Sequence, residues 1–170
     1  MRTHRMIRQP ALAVLLPICA FPLWAQRSPE TIGEAQLRLW LDMKKFLTAS
    51  DGADYFRRQL LNSDIPSGVR GLRWLKGTVV SSEVVGSTRN IVLAMSDKDT
   101  PEVTLKIDRL PPADIRIRKG AVVEFDGVGM AFAPSPFMLT FEVEACRQAG
   151  NEDLLRCGPE TRLQRYGPVK

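Results

Sequence analysis

The chain has one histidine among its 170 residues, His4, and that histidine falls in a stretch built for removal. Arg2, Arg5 and Arg8 make a positive start, and Ala11 to Phe21 is an apolar run too short to span a bilayer. Leu23-Trp24-Ala25 then ends on a small residue before Gln26. The expectation is a secretory signal peptide over residues 1–25, cut near Ala25, and a mature chain that is periplasmic or secreted. Without His4 the mature chain has no imidazole, so its Ser, Thr and Cys side chains lack their commonest activating base. No later apolar run approaches the roughly 18 residues of a membrane helix, so no transmembrane segment is expected after cleavage. Cys19 follows Ile18, where lipid attachment would favour a small residue.

Charge of one sign is scarce as well. Three of the 24 basic residues and none of the 19 acidic ones precede Gln26, which leaves 21 against 19 and a net charge of +2. Mixed charge of this kind makes a soluble surface and no long-range field for a polyanion, so nucleic acid is not an expected partner.

Of the three cysteines, Cys146 and Cys157 remain after cleavage. In an oxidising compartment the simplest expectation is a disulfide within one chain, stabilising it by roughly 2 to 3 kcal/mol. An intermolecular bridge and a zinc ligand pair are the alternatives, but two sulfurs without histidine would fill only half a tetrahedral zinc site. No metal or cofactor is expected.

What is present falls into two periodicities. Between Glu30 and Leu47, Ile32, Ala35, Leu39, Met43 and Phe46 recur at helical spacing, widened by Leu37, Trp40, Leu41 and Leu47. Thr48-Ala49-Ser50-Asp51-Gly52 breaks the stripe, and Ser50 or Asp51 can cap a shorter helix through Tyr55, Phe56, Leu60 and Leu61. Residues 26–70 therefore read as a helical segment. After Gly71 the period becomes alternating, and five strands are predicted. They cover 74–85, 90–96, 102–108, 121–128 and 137–145, with Ile91, Leu93, Met95, Val103, Leu105, Ile107, Val123, Phe125, Phe137, Leu139, Phe141 and Val143 inward.

Five short strands with one oily face hide it most simply by curling, so the expected fold is α+β. A helical hairpin precedes a five-stranded antiparallel OB-like small β-barrel over 71–145, and a tail over 146–170 carries the disulfide. A two-sheet sandwich is the alternative.

The stretches Leu75-Lys76-Gly77-Thr78-Val79-Val80, Thr100-Pro101-Glu102-Val103-Thr104-Leu105, Val123-Glu124-Phe125-Asp126-Gly127-Val128 and Pro136-Phe137-Met138-Leu139-Thr140-Phe141-Glu142-Val143 resemble a small OB-like domain of uncharacterised exported bacterial proteins. That domain often follows tetratricopeptide repeats. Residues 28 to 70 hold about one helix pair, whereas a repeat array needs at least about three. The resemblance implies architecture and carries no catalytic residue.

Few groups suggest chemistry. Glu124, Asp126, Glu142 and Glu144 would share an outer face if the fourth and fifth strands were neighbours, and alternation places all four in solvent. Asp97, Asp99 and Glu102 have a calcium-like spacing that reads as a polar turn. Arg116, Arg118 and Lys119 form a basic ridge on an amphipathic edge, and the outward residues Asn90, Val92, Ala94, Thr104 and Lys106 include no aromatic platform for bases. The segment Gly129 to Pro136 places Met130 and Phe132 among prolines and small residues, beside Phe137, as an apolar lip for binding. The functional expectation is an exported, non-enzymatic interaction module with an envelope protein as partner. The alternative is a small-ligand or carbohydrate-binding barrel, with an acid-dependent hydrolase as its enzymatic version.

Overall fold

A computed structural model describes residues 31–66, 74–109, 115, 117–149 and 154–165. The expected signal peptide, the basic ridge at Arg116 and the linker Leu110-Pro111-Pro112 lie outside the described residues. Among the described residues no helix is long and apolar enough to cross a membrane.

The first helix, α1, runs Ile32–Leu47 and begins at a capping box. Thr31 accepts the Glu34 amide on its hydroxyl, and the Glu34 carboxylate accepts the Thr31 amide at 2.8 Å. Its buried face is Gln36, Trp40, Met43 and Leu47, whereas Ile32 and Phe46, expected inside, are 71% and 53% exposed. Phe46 stacks instead on Tyr55, with ring centroids 5.1 Å apart. The second helix, α2, is a single turn, Gly52–Tyr55, continued by a π-helical turn over Phe56–Leu60. The expected helical hairpin is thus one long helix and a short cap. Gly52 explains the tight return, because a methyl there would sit 2.0 Å from the Leu47 carbonyl oxygen.

Eight strands follow: β1 Leu75–Val85, β2 Thr88–Ala94, β3 Val103–Ile107, β4 Val122–Phe125, β5 Val128–Pro134, β6 Phe137–Val143, β7 Ala145–Gln148 and β8 Leu154–Gly158. A last short helix, α3, spans Glu160–Arg165. The strands form one sheet in the order β5-β6-β3-β2-β1-β4-β8-β7. The pairs β3·β6 and β4·β8 are parallel and the remaining neighbours antiparallel.

This overturns the five-stranded antiparallel barrel, and the two-sheet alternative with it: the sheet is mixed, has eight strands and does not close. Asp126 and Gly127 end the predicted fourth strand early and let the chain start β5, so most of the expected loop 129–136 is strand. The predicted fifth strand stops at Val143, and the chain resumes pairing as β7 and β8 through Cys146 and Cys157. The outer edge of β4 is taken by β8 and that of β5 by bridges from Leu61 and Asp64, which leaves neither edge available to close a ring.

The sheet is nonetheless strongly curled. Four strands separate β5 from β4 in the ladder, about 24 Å in a flat sheet. The two residues that join β4 to β5 reach only about 10 Å, so the sheet must bend until the two strands meet. Gly127 in that link passes so near β6 that a methyl would lie 2.6 Å from the Glu142 carbonyl oxygen.

Alternation fills the inside of the curl. Leu75, Val79, Ile91, Leu93, Val103, Leu105, Ile107, Val123, Phe125, Leu139, Phe141 and Val143 are all buried, and Phe125 meets Phe141 with centroids 5.4 Å apart. Each large apolar side chain hidden this way contributes about 1.5–3 kcal/mol of transfer free energy. The α1 face closes one end of the curl: Trp40 meets Phe137 edge-on at 6.0 Å, and its indole N–H donates to Ser96 Oγ at 3.3 Å.

Candidate functional site

Where β3 and β6 end side by side, the chain leaves an open cleft of about 400 Å³. Parallel pairing sets Lys106 against Glu142 and Ile107 against Val143, so the next residues, Asp108 and Glu144, emerge together at the strand ends. Asp126 and Gly127 of the β4–β5 link, Val128 and Met130 of β5, Asn62, Val143 and Pro159 complete the wall. The result is a partly apolar floor ringed by four carboxylates: Asp108, Asp126, Glu142 and Glu144.

The four are not equivalent. Asp108 hydrogen-bonds to the Glu142 side chain and adds its own negative charge, and both effects push the Glu142 pKa above the usual glutamate value. Glu142 therefore takes up its proton more readily than an isolated glutamate would. Glu144 Oε2 accepts the Glu160 amide at 2.6 Å. Asp126 is only 1% exposed and accepts from Arg162 Nη1, while Arg162 Nη2 donates to Asp64 at 2.9 Å. Those two carboxylates hold the Arg162 pKa above its ordinary range.

The four acidic residues picked out in sequence therefore part company. β4 pairs with β1 and β8, not with the strand that carries Glu142, and Glu124 turns to Arg156 Nε at 2.8 Å on β8. Asp126 is buried, against the expectation of solvent. Asp108, at the end of its strand, takes the place expected of Glu124.

The three apolar candidates divide too. Met130, 38% exposed, lines the cleft. Phe132 and Phe137 are half-buried away from the cleft: Phe132 packs on Phe56 at 5.8 Å and on Phe137 at 5.6 Å, and Lys44 Nζ lies 5.4 Å over the Phe137 ring. A bulge between Gly129 and Ala131 sets this division, because it shifts the β5 register just where Met130 stands. Cys146 and Cys157 are directly paired across β7 and β8 and joined by a disulfide.

Of the calcium-like set, Asp97 closes its own turn by accepting the Asp99 and Thr100 amides at 2.8 and 2.7 Å. Glu102 is 2% exposed, points inward and accepts the Met95 and Ser96 amides at 3.0 and 2.8 Å, the Ser96 hydroxyl at 3.2 Å and the Lys44 ammonium. Burial alone would raise the Glu102 pKa, but these donors and the Lys44 charge outweigh it and hold it below the usual value. Glu102 thus fastens α1 to the sheet, a role without a local signal because Lys44 lies 58 positions earlier. Among the described residues no group of three or more metal-ligating side chains has the geometry to hold an ion. No protein-family model, no curated protein and no solved structure matches the chain.

Proposed function

We propose that the chain is an exported, non-enzymatic binding module that takes a cationic group of an envelope protein, a lysine or arginine side chain, into the cleft between the ends of β3 and β6. The observation that carries this reading is the cleft itself. Its volume of about 400 Å³ lies in the range of ligand sites, and its floor of Val128, Met130 and Val143 suits the methylene stem of a long basic side chain. Asp108, Glu142 and Glu144 stand at the rim, where a charged head would arrive. The packed interior of the curl favours this over a ligand held inside the sheet, and the Cys146–Cys157 disulfide supports an oxidising compartment.

The contact of Asp108 with Glu142, which raises the Glu142 pKa, favours one second reading, hydrolysis in which Glu142 serves as the acid and a neighbouring carboxylate as the base. Titration with N-acetylarginine amide, followed by amide chemical shifts, separates the two. The binding reading expects shifts concentrated at Asp108, Met130, Glu142 and Glu144, and affinity reduced about tenfold in Glu144→Gln. Shifts scattered over the surface, or an affinity indifferent to Glu144→Gln, would defeat it. Turnover of glycoside or ester substrates, lost in Glu142→Gln, would establish the hydrolase instead.

A further inference from the structure

The segment that borders the cleft at Pro159 is held in an unusual way. α3 has only six residues, too few to be stable alone. Its one buried apolar anchor among the described residues is Leu163, 4% exposed. Polar contacts to the surrounding elements supply much of the rest. The Glu160 carboxylate takes Arg109 Nη1 at 3.1 Å, just past the end of β3, and Arg147 Nη2 at 3.3 Å on β7. The Glu160 amide donates to Glu144, just past the end of β6. Arg162 spans Asp126, in the β4–β5 link, and Asp64, in the segment that bridges β5.

We infer that α3 is an ionic clasp over the rim of the cleft, releasable without unfolding the sheet, and that its release opens Asp126 and Glu144 to the cleft. Glu160 and its two arginine partners are between 40% and 74% exposed, so those pairs are individually weak and screened by salt. The body beneath does not depend on them: β8 is bonded to β4 along its length and joined to β7 by the disulfide. Gly158, the last residue of β8, is fixed in place, because a methyl there would lie 3.0 Å from the Asp126 carbonyl oxygen and 3.2 Å from the Trp74 ring, so release would begin beyond it, at Pro159. In the closed state two of the four cleft carboxylates are engaged by the clasp, Asp126 by Arg162 and Glu144 by the Glu160 amide. A cationic partner would therefore compete with the clasp for them. This consequence rests on the reading of the cleft as a cation site; the mechanics of the clasp do not.

Hydrogen exchange resolved by residue tests the mechanics on the full mature chain. Raising sodium chloride to about 1 M, or substituting Glu160→Gln, should speed exchange of the Glu160, Arg162 and Leu163 amides about tenfold, while Leu155 and Cys157 in β8 keep their rates. If the α3 amides exchange only together with β8 under every condition, α3 is a fixed strut and the inference falls. Arg162→Met alone takes a cation away from the buried Asp126 carboxylate, so the double variant Arg162→Met with Asp126→Asn is the companion, and it should show the same local acceleration. A second arm measures N-acetylarginine amide: Glu160→Gln should bind it severalfold more tightly than the parent. Local exchange without any binding would uphold the clasp and defeat the cation reading, and binding without local exchange would do the reverse.

Discussion

Replacing Glu102 by alanine should be among the most damaging single changes available in this protein. The substitution removes a carboxylate, itself 2% exposed, that satisfies two backbone amides, the buried one of Met95 and the part-buried one of Ser96. The orphaned buried Met95 amide costs about 1–3 kcal/mol, and the Ser96 amide, which water can reach, costs less. Lys44, a third exposed, recovers much of its hydration, so the lost ion pair adds less than a fully buried one would. The expected loss is therefore about 2–4 kcal/mol, a substantial part of a domain's stability and roughly 5 to 15 °C in melting temperature. Glu102→Gln keeps one acceptor oxygen and should lose less. The charge adds a pH signature: because the folded pKa is depressed, the contribution is complete above the ordinary value of 4.5 and disappears as the pH falls through the lower folded value. Urea denaturation of parent, Glu102→Ala and Glu102→Gln from neutral pH down into the acid range checks both parts. A Glu102→Ala midpoint within about 1 kcal/mol of the parent, or a Glu102→Gln curve with the parent's acid limb, would refute the tether argument.

Reduction of Cys146–Cys157, or paired replacement by serine, should cost about 3 kcal/mol for a ring closed across 11 positions, measured from the denaturation midpoint and slope together. Glu142 behaves oppositely to Glu102: its folded pKa is raised, so its contribution is full below 4.5 and is lost as the pH rises through the folded value. Glu142→Gln should accordingly gain stability relative to the parent on going from acid to neutral pH, and denaturation at the two pH values that showed no relative gain would contradict the raised Glu142 pKa.

The sequence was most legible where one residue type dominates one face. In β2, β3 and β6, branched and aromatic side chains at every second position predicted strands within two residues of their true limits, and the inward sets 91/93, 103/105/107 and 139/141/143 are buried. β5 was hidden because glycine, alanine and proline make up four of its seven residues, and their small or restrained side chains resemble a loop. β7 and β8 were hidden because Ala145-Cys146-Arg147-Gln148 and Leu154-Leu155-Arg156-Cys157-Gly158 do not alternate apolar with polar residues. Pairing was illegible for another reason: β3 beside β6 and β4 beside β8 are parallel contacts between distant segments, and no turn announces them. The apolar stripe announced α1 but not its capping box at Thr31 and Glu34, and Glu102 carries no local mark of its inward turn. The cleft was half visible. Met130, Asp126, Glu142 and Glu144 stood out as types, but only the parallel register of β3 and β6 selects Asp108 and releases Glu124.

The placement of β8 has a consequence for biogenesis. Its partner β4 lies some thirty residues earlier, so β4 keeps a bare hydrogen-bonding edge until Leu154–Gly158 has been made and delivered. A nascent or truncated chain ending near Val143 would carry that edge with Val123 and Phe125 behind it, which is the kind of template on which chains aggregate. Oxidation of the cysteine pair locks β8 to the hairpin that brings it there, so disulfide-forming capacity should govern the yield of soluble protein before it governs the stability of the finished fold.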